Sequence, residues 1–325
     1  FEEKHLDAYT QTFLANAAFG EGSASALYRL PAIEHVIYIV KESRTFDQVR
    51  ASPDAAPNHH KLAREFVLLD NFYTNGDSPA DGLSWSTAAI APVYVQKMSP
   101  GMEGGRPRPL ASPVQELIAA PPTGYLWTNA HAAGRSIRSF GFHVVNRPGA
   151  GAGGAQVERV LDPVLARVTS PAFRGPDPAY PDTARAQAFL EELAGFEKAG
   201  QMPRLVLMRL AGEGADNDQA LGAIVEAVSK SRFWPNTAIF VVEASAHKGG
   251  DRIDAHRAPA FVISPWVKRK SVDSAMYNTA SVLRTMEILL GLRPMTHFDT
   301  AARPMTACFA AEPDPAPYEA AKPRP

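Results

Sequence analysis

One cysteine, Cys308, is all that the chain carries. A lone thiol forms no internal disulfide and fits no metal or redox spacing, so disulfide scaffolds, zinc ribbons and dithiol chemistry are excluded. No run approaches the ~20 apolar residues that a membrane-spanning helix needs. An excess of one charge is missing too. Lys and Arg number 33 against 34 Asp and Glu, a formal net charge of -1. That removes any general electrostatic case for nucleic acid or an anionic membrane as partner. No internal repeat is visible. The chain opens on Phe1 rather than Met, and a leader removed ahead of it is compatible with that start.

What is present is ordinary for a globular protein: 325 residues, 45% hydrophobic and 21% charged. A core of that size needs neither disulfide nor metal for stability. Apolar strand-like runs alternate with amphipathic helical ones, which argues one α/β domain over residues 1–311 with a largely parallel sheet flanked by helices. The Pro/Ala-rich stretch 312–325 reads as an extended or disordered tail.

In chain order, the spacing predicts an amphipathic helix over Leu6–Ala17 and a first core strand over Ile33–Val40. A helix capped by Asn58 follows, then a strand over Val67–Phe72, and a turn-rich loop that opens a helix near Trp85. A short helix is expected at Val114–Ala120. Strands are expected at Gly124–Trp127 and Ser136–Phe140, with a helix capped by Thr128 between them. Further on come a helix at Ala184–Ala199, a strand at Leu205–Leu210, and helices at Ala215–Ser231 and Thr279–Leu290.

The stretch with most chemistry lies between two apolar runs, Thr237–Val242 and Pro259–Ile263, both expected as parallel strands. It reads Glu243-Ala244-Ser245-Ala246-His247-Lys248-Gly249-Gly250-Asp251-Arg252-Ile253-Asp254-Ala255-His256-Arg257. Ligands of open α/β sheets sit at the carboxyl ends of strands, so this loop and Glu42, just past the first strand, are the natural place for a site. Glu42 could equally pair with Arg44 or another arginine, and Asp254 with Arg257. The adjacent His59 and His60 point apart on a helix and make a poor chelating pair.

Several segments in order, His35–Asp47, Asn58–Asp81, Trp85–Lys97, Gly124–Asn129, Asp216–Val242 and Asp251–Met305, resemble the bacterial phosphoesterases of the phospholipase C and acid phosphatase A type. That family lies within the alkaline-phosphatase-like superfamily. The resemblance implies a three-layer α/β sandwich, and export from the cytoplasm, though a cytoplasmic protein is compatible with the same sequence. It also implies two-step phosphoryl transfer by a Ser or Thr nucleophile activated by divalent metals. The family's first strand ends Lys-Glu-Asn-Arg-Thr-Phe-Asp, whose Glu and Asn contact metal. Here Glu42 is kept and Ser43 replaces the Asn. Its second loop reads Val-Ser-Ala-Asp-Gly-His-Asn-Trp-Ser. Here Pro79 replaces the hydroxyl, Leu83 the His and Ser84 the Asn, while Ser78 is one residue out of register. The family's Asn-Asp-His-Thr element has no counterpart in Leu210–Ala215. Ala244 and Ser245 stand where it carries paired Asp ligands, and Arg252 where it carries a His.

The expectation is therefore a kept fold with the metals and the nucleophile lost, since a hard cation wants about six ligands. Glu42, His256, Arg252 and Asp254 are the expected catalytic set. A carboxylate and a His can move protons, and an Arg can hold an oxyanion. Substrate contacts are expected from Ser43, Arg44, Ser78, Leu83, Ser84, His143, Ala244, Ser245 and His247. No metal and no cofactor is expected. The partner is a small organic molecule, transformed by lyase, isomerase or cyclase chemistry. Two alternatives stand beside this: a metal-dependent phosphoesterase drawing ligands from Asp77, Asp81, Glu213 or His247, and a non-catalytic binding protein.

Overall fold

The computed structural model describes residues 5–11, 28, 30–42, 44–98, 118–150, 154–246 and 250–322. The expected helices Leu6–Ala17 and Val114–Ala120 lie largely outside these, as do Ser43 and His247. Residues 5–11 are helical.

The centre is a seven-stranded sheet in the order β10-β2-β9-β8-β1-β7-β4. Its strands are β1 (His35–Lys41), β2 (Val67–Leu69), β4 (Ile137–Phe140), β7 (Leu205–Arg209), β8 (Thr237–Glu243), β9 (Ala260–Ile263) and β10 (Ser271–Asp273). Two short pairs lie outside it: β3 (Phe72–Tyr73) with β11 (Tyr277–Asn278), and β5 (Val144–Asn146) with β6 (Val157–Val160). The helices are α1 (Phe46–Arg50), α2 (Pro57–Glu65), α3 (Pro79–Ala88), α4 (Val93–Met98), α5 (Leu126–Ala132), α6 (Asp182–Ala199), α7 (Gly214–Ser229), α8 (Thr279–Leu290) and α9 (His297–Ala301).

Strand β1 runs parallel to both β7 and β8, and β4 runs parallel to β7. All seven residues of β1 and of β8 are buried, as expected of strands covered on both faces. Side chains alternate between those faces. Tyr38 donates its hydroxyl hydrogen to the Ser86 carbonyl of α3 at 2.9 Å, while Lys41, of opposite parity, reaches His59 of α2. Helices α3, α8 and α9 therefore cover one face, and α2, α6 and α7 the other. The three-layer α/β sandwich expected from the sequence is what forms.

The local differences have physical causes. Strand β9 is antiparallel to β8 and β2, not parallel as expected. A parallel return needs a crossover, usually a helix, and the described residues between β8 and β9 contain none. Gly124–Trp127 is no strand: Gly124 turns at positive φ and α5 begins at Leu126, with Thr128 inside it. The strand expected over Val67–Phe72 breaks into β2 and β3. Helix α3 starts at Pro79, six residues before Trp85, because Ser78 caps it and proline is well tolerated in a first helical turn. Asn58 lies inside α2, whose cap position is Ala56. Its side chain bonds Asp218 instead, and Gly222 makes room, since a Cβ there would meet Asn58 Oδ1 at 2.3 Å.

The stretch 312–322 is extended, and it is tied down. Tyr318 is fully buried; it donates to Asn58 Oδ1 at 2.9 Å, and its backbone amide bonds Ser229. Trp234 donates to the Pro315 carbonyl and Arg269 to that of Ala316.

Candidate functional site

Three clusters meet at the carboxyl edge of the sheet. The first follows from register. Lys41 and Glu243 are direct partners in the β1–β8 ladder, so their side chains emerge on one face. Lys41 Nζ donates to Glu243 Oε1 at 2.8 Å and to His59 Nε2 at 2.6 Å. His59 Nδ1 faces Asp218 Oδ1 at 2.5 Å, and Asp218 also accepts from the Asn58 and His59 amides. All four side chains are at most 2% exposed. Because the ammonium can only donate, His59 carries its proton on Nδ1 and is neutral. Burial, then the Lys41 charge, pushes its pKa down to about 4. Burial raises Asp218, but hydrogen bonds from His59 and the backbone outweigh that and hold the carboxyl below its usual range.

The second cluster is a clamp. Arg209 pairs with Val40 in the β1–β7 ladder, which brings its guanidinium beside Glu42, just past β1. Nη2 and Nε of Arg209 both donate to Glu42 Oε1, at 2.6 and 3.2 Å. Glu42 is thus committed to a guanidinium rather than standing as an open base. Its partner is Arg209, not Arg44, whose backbone amide instead reaches Glu243 Oε2 at 3.4 Å.

The third is an imidazole between two carboxylates. His256 Nε2 lies 2.6 Å from Asp77 Oδ1 and its Nδ1 lies 3.0 Å from Asp254 Oδ1. Loop geometry holds it: the Thr74 amide bonds the His256 carbonyl, and Asp254 caps the His256 amide. The ring is 41% exposed. The hydrogen bond to Asp77 raises its pKa, burial opposes this, and Asp254 adds to the rise. Asp81, at the third position of α3, bonds the Asp77 amide through Oδ2, while its buried Oδ1 has no partner. Burial raises its pKa.

The other expected residues do different work. Arg252 does not enter the cluster. It is 71% exposed and lies on Asp47, whose Oδ2 accepts from its Nε at 2.8 Å. That bond holds Asp47 at about 2. Asp254 pairs with His256 rather than with Arg257, which donates to the Asp70 carbonyl, approaches Asp251 at 3.6 Å and stacks on Phe46. Ser78 is buried as the cap of α3, accepting from the Asp81 amide. Ser84 bonds back to the Ala80 carbonyl within its own helix. Leu83 packs against the main core, and Ala244 and Ser245 are buried at the β8 exit. His143, at positive φ after β4, sits edge-on to Tyr125 and Trp127. Glu42 bonds Arg209 while His256 bonds Asp77 and Asp254, so the expected pair falls into two separate centres.

Arg209, Lys41 and Asp77 were not in the expected catalytic set. Arg209 had a signal, a single cation ending the apolar run Leu205–Met208 beside the strand of Glu42.

The divalent metals of the resembling family do not fit this donor set. Glu42 already holds a guanidinium and Glu243 an ammonium. At Ala244, the first turn of α3 packs directly on the end of β8: a Cβ on Gly82 would fall 2.0 Å from the Ala244 carbonyl oxygen. Among the described residues, no group of three or more His, Cys, Asp or Glu could hold a metal ion.

Comparison with known proteins bears on the fold. Residues 215–293 match the Phosphoesterase family. No curated protein sequence matches. Among solved structures, a protein in the alkaline phosphatase superfamily from Vibrio parahaemolyticus is 14% identical, with 91% of this chain and 77% of that one covered and a TM-score of 0.53. The phosphonate monoester hydrolase SpPMH from Silicibacter pomeroyi is 12% identical, covering 80% and 74%, at 0.50. The lipoteichoic acid synthase LtaP from Listeria monocytogenes is 10% identical, covering 90% and 81%, at 0.52. Identities this low speak to the fold alone, a mixed α/β sandwich with a mostly parallel central sheet that these structures share. The segment similar to the Phosphoesterase family runs from α7 through the 243–257 loop and α8.

Proposed function

We propose that this is a phosphoesterase-fold enzyme in which His256, between Asp77 and Asp254, transfers protons on a small organic substrate without a divalent metal, in a reaction of the lyase, isomerase or cyclase type. The supporting observation is the Asp77–His256–Asp254 arrangement. Carboxylates at both ring nitrogens favour the doubly protonated imidazole, so His256 starts as a general acid. Asp77, the more exposed of its partners, is placed to share the proton as it leaves. Ser78 supplies no nucleophile, since its oxygen caps α3. The Glu42–Arg209 pair fixes a guanidinium at the sheet edge, where it can orient an anionic or carbonyl group.

The family match favours a second reading, hydrolysis of a phosphoester with divalent metal. Weighing against it, Asp77 and Asp254 are each engaged by the His256 ring rather than turned to a shared cation position.

The test has two arms. Metal analysis and calorimetry with Mn, Zn and Ca are expected to show no stoichiometric ion, and an aryl phosphate to show no metal-stimulated turnover. A metabolite panel is expected to yield a product with the wild type that His256→Gln loses. A stoichiometric ion with phosphatase activity, or turnover indifferent to His256→Gln, overturns the reading.

A further inference from the structure

Helix α8 is buried along its whole length, Thr279–Leu290. It nevertheless carries two residues of charged type, Arg284 and Glu287, whose side chains are 2% and 0% exposed. Asp299 of α9 is equally buried. Arg284 Nη1 donates to Glu287 Oε2 at 3.2 Å. Glu287 Oε1 accepts no hydrogen bond, and its carboxyl group is within hydrogen-bond reach of Asp299. Asp299 collects four donors: the amides of Met295, Thr296 and Thr300 at 2.8, 2.8 and 2.9 Å, and the Thr296 hydroxyl at 3.2 Å. That setting suits an anion.

Two carboxylates with one guanidinium in a dry place leave a net negative charge, which a single proton removes. Burial, then the Asp299 charge, drive the Glu287 carboxyl well above its usual range, with Arg284 opposing. Arg284 and Asp299 are the charged groups that face Glu287. Among the described residues, α3, β1 and β11, which also pack on α8, bring no other. Tyr28 faces Arg284. Asp299 thus organises the turn that carries α9, and that turn is joined to α3 at two points. Thr296 Oγ1 donates to the Ala89 carbonyl at 3.2 Å, and Phe298 lies edge-on to Trp85 with ring centres 4.9 Å apart. Helix α3 begins just after Asp77, the partner of His256.

We propose that the Glu287–Asp299 carboxyl pair is an alkaline-sensitive latch: one proton, held on Glu287 and shared with Asp299, fastens α9 to α8, and its loss above neutral pH frees α9 from α8 and from the end of α3. With the proton gone, two carboxylates face each other in a dry contact, and hydrating them requires α9 to move away. The sign of the linkage is fixed. The unfolded chain releases this proton near 4.5, the ordinary glutamate value, so above that pH the folded state holds one proton more and stability falls as pH rises. The latch is independent of the chemistry assigned to His256.

The wild type with carbon-13 at its glutamate side-chain carboxyls reads the proton directly, whether or not any variant folds. One resonance at the protonated position is expected at about pH 7. Glu287→Gln offers an amide donor to Asp299 and an acceptor to Arg284, so it keeps the latch closed at every pH. Urea unfolding of both proteins from about pH 5 to about pH 8 is expected to shift the ratio of their unfolding constants about tenfold per pH unit, the variant gaining as pH rises. Hydrogen exchange of the 295–300 amides, compared between the two at equal pH, is expected to match at about pH 6 and to be faster in the wild type at about pH 10. Glutamates all ionised in the wild type at neutral pH, a ratio of unfolding constants that does not change with pH, or equal exchange in both proteins at alkaline pH each overturns the proposal.

Discussion

Replacing Lys41 by Met removes the one cation from the buried chain Asp218–His59–Lys41–Glu243 while keeping its length and volume. Two contacts go: the 2.8 Å bond to Glu243 Oε1 and the 2.6 Å bond to His59 Nε2. Glu243, 1% exposed, is then left with a 3.4 Å backbone amide at its second oxygen. Removing one partner of a buried ion pair costs about 3–5 kcal/mol, because the other is left uncompensated. Glu243→Leu alone is expected to cost a similar amount, stranding Lys41. The double variant removes both charges. Its remaining deficit is the lone pair of His59 Nε2, which carries about 1–3 kcal/mol as an unmade buried hydrogen bond. The two single losses should therefore exceed the double loss by several kcal/mol. Urea unfolding followed by far-UV circular dichroism and tryptophan fluorescence on all four proteins measures the cycle. If the double loss equals the sum of the single ones within about 0.5 kcal/mol, the two charges do not act as a pair and the account of this network is wrong.

The same network sets an acid limit. The folded pKa of His59, about 4, lies below its unfolded value near 6.5, so the unfolded chain binds the extra proton first. Its contribution, on the order of 3 kcal/mol, is whole above pH 6.5 and lost as pH falls toward 4; a His59→Gln protein with the same slope of stability between pH 6.5 and 4 would contradict this. For His256 the shift runs upward, and Asp77→Asn is expected to lower its titration midpoint as followed by imidazole NMR; an unmoved midpoint would remove Asp77 as its partner. Tyr318→Ala empties a buried ring site and breaks the bond to Asn58, with an expected loss of about 3–5 kcal/mol in the same denaturation assay. Gly82→Ala drives a Cβ to 2.0 Å from the Ala244 carbonyl and is expected to lower the melting temperature sharply, whereas Gly195→Ala, where a Cβ meets nothing within 4 Å, should not.

Much of the frame was legible because its signals are local. Fully buried β1 and β8 appear as unbroken apolar runs, and α8 shows its bounds, Thr279–Leu290, through a periodic face ended by Gly291. The loop 243–257 was recognisable as polar chain between two strands. The direction of β9 was not legible, because parallel and antiparallel strands of four residues have the same composition. The anchoring of the tail 312–322 was not legible, because its anchors are single contacts between residues 47 to 260 apart in the chain, such as Arg269 to Ala316 and Tyr318 to Asn58. In the candidate cluster, His256 and Asp254 stood out in the sequence as ionisable residues of one loop. Which carboxylate faces which base did not.

The sequence by itself determined the α/β class, through hydrophobic periodicity, and which residue types stand at the strand ends, such as Glu42, Ala244 and Ser245. The tertiary structure alone decided the partners. Glu42 met Arg209 because β1 and β7 are neighbours in one register, Lys41 met Glu243 because β1 and β8 are, and His256 met Asp77 because the Thr74 amide pins one loop to the other. Charge interactions act over a few ångströms of space, whatever the separation along the chain, so the pairing of ionisable groups becomes visible only once the strands are ordered.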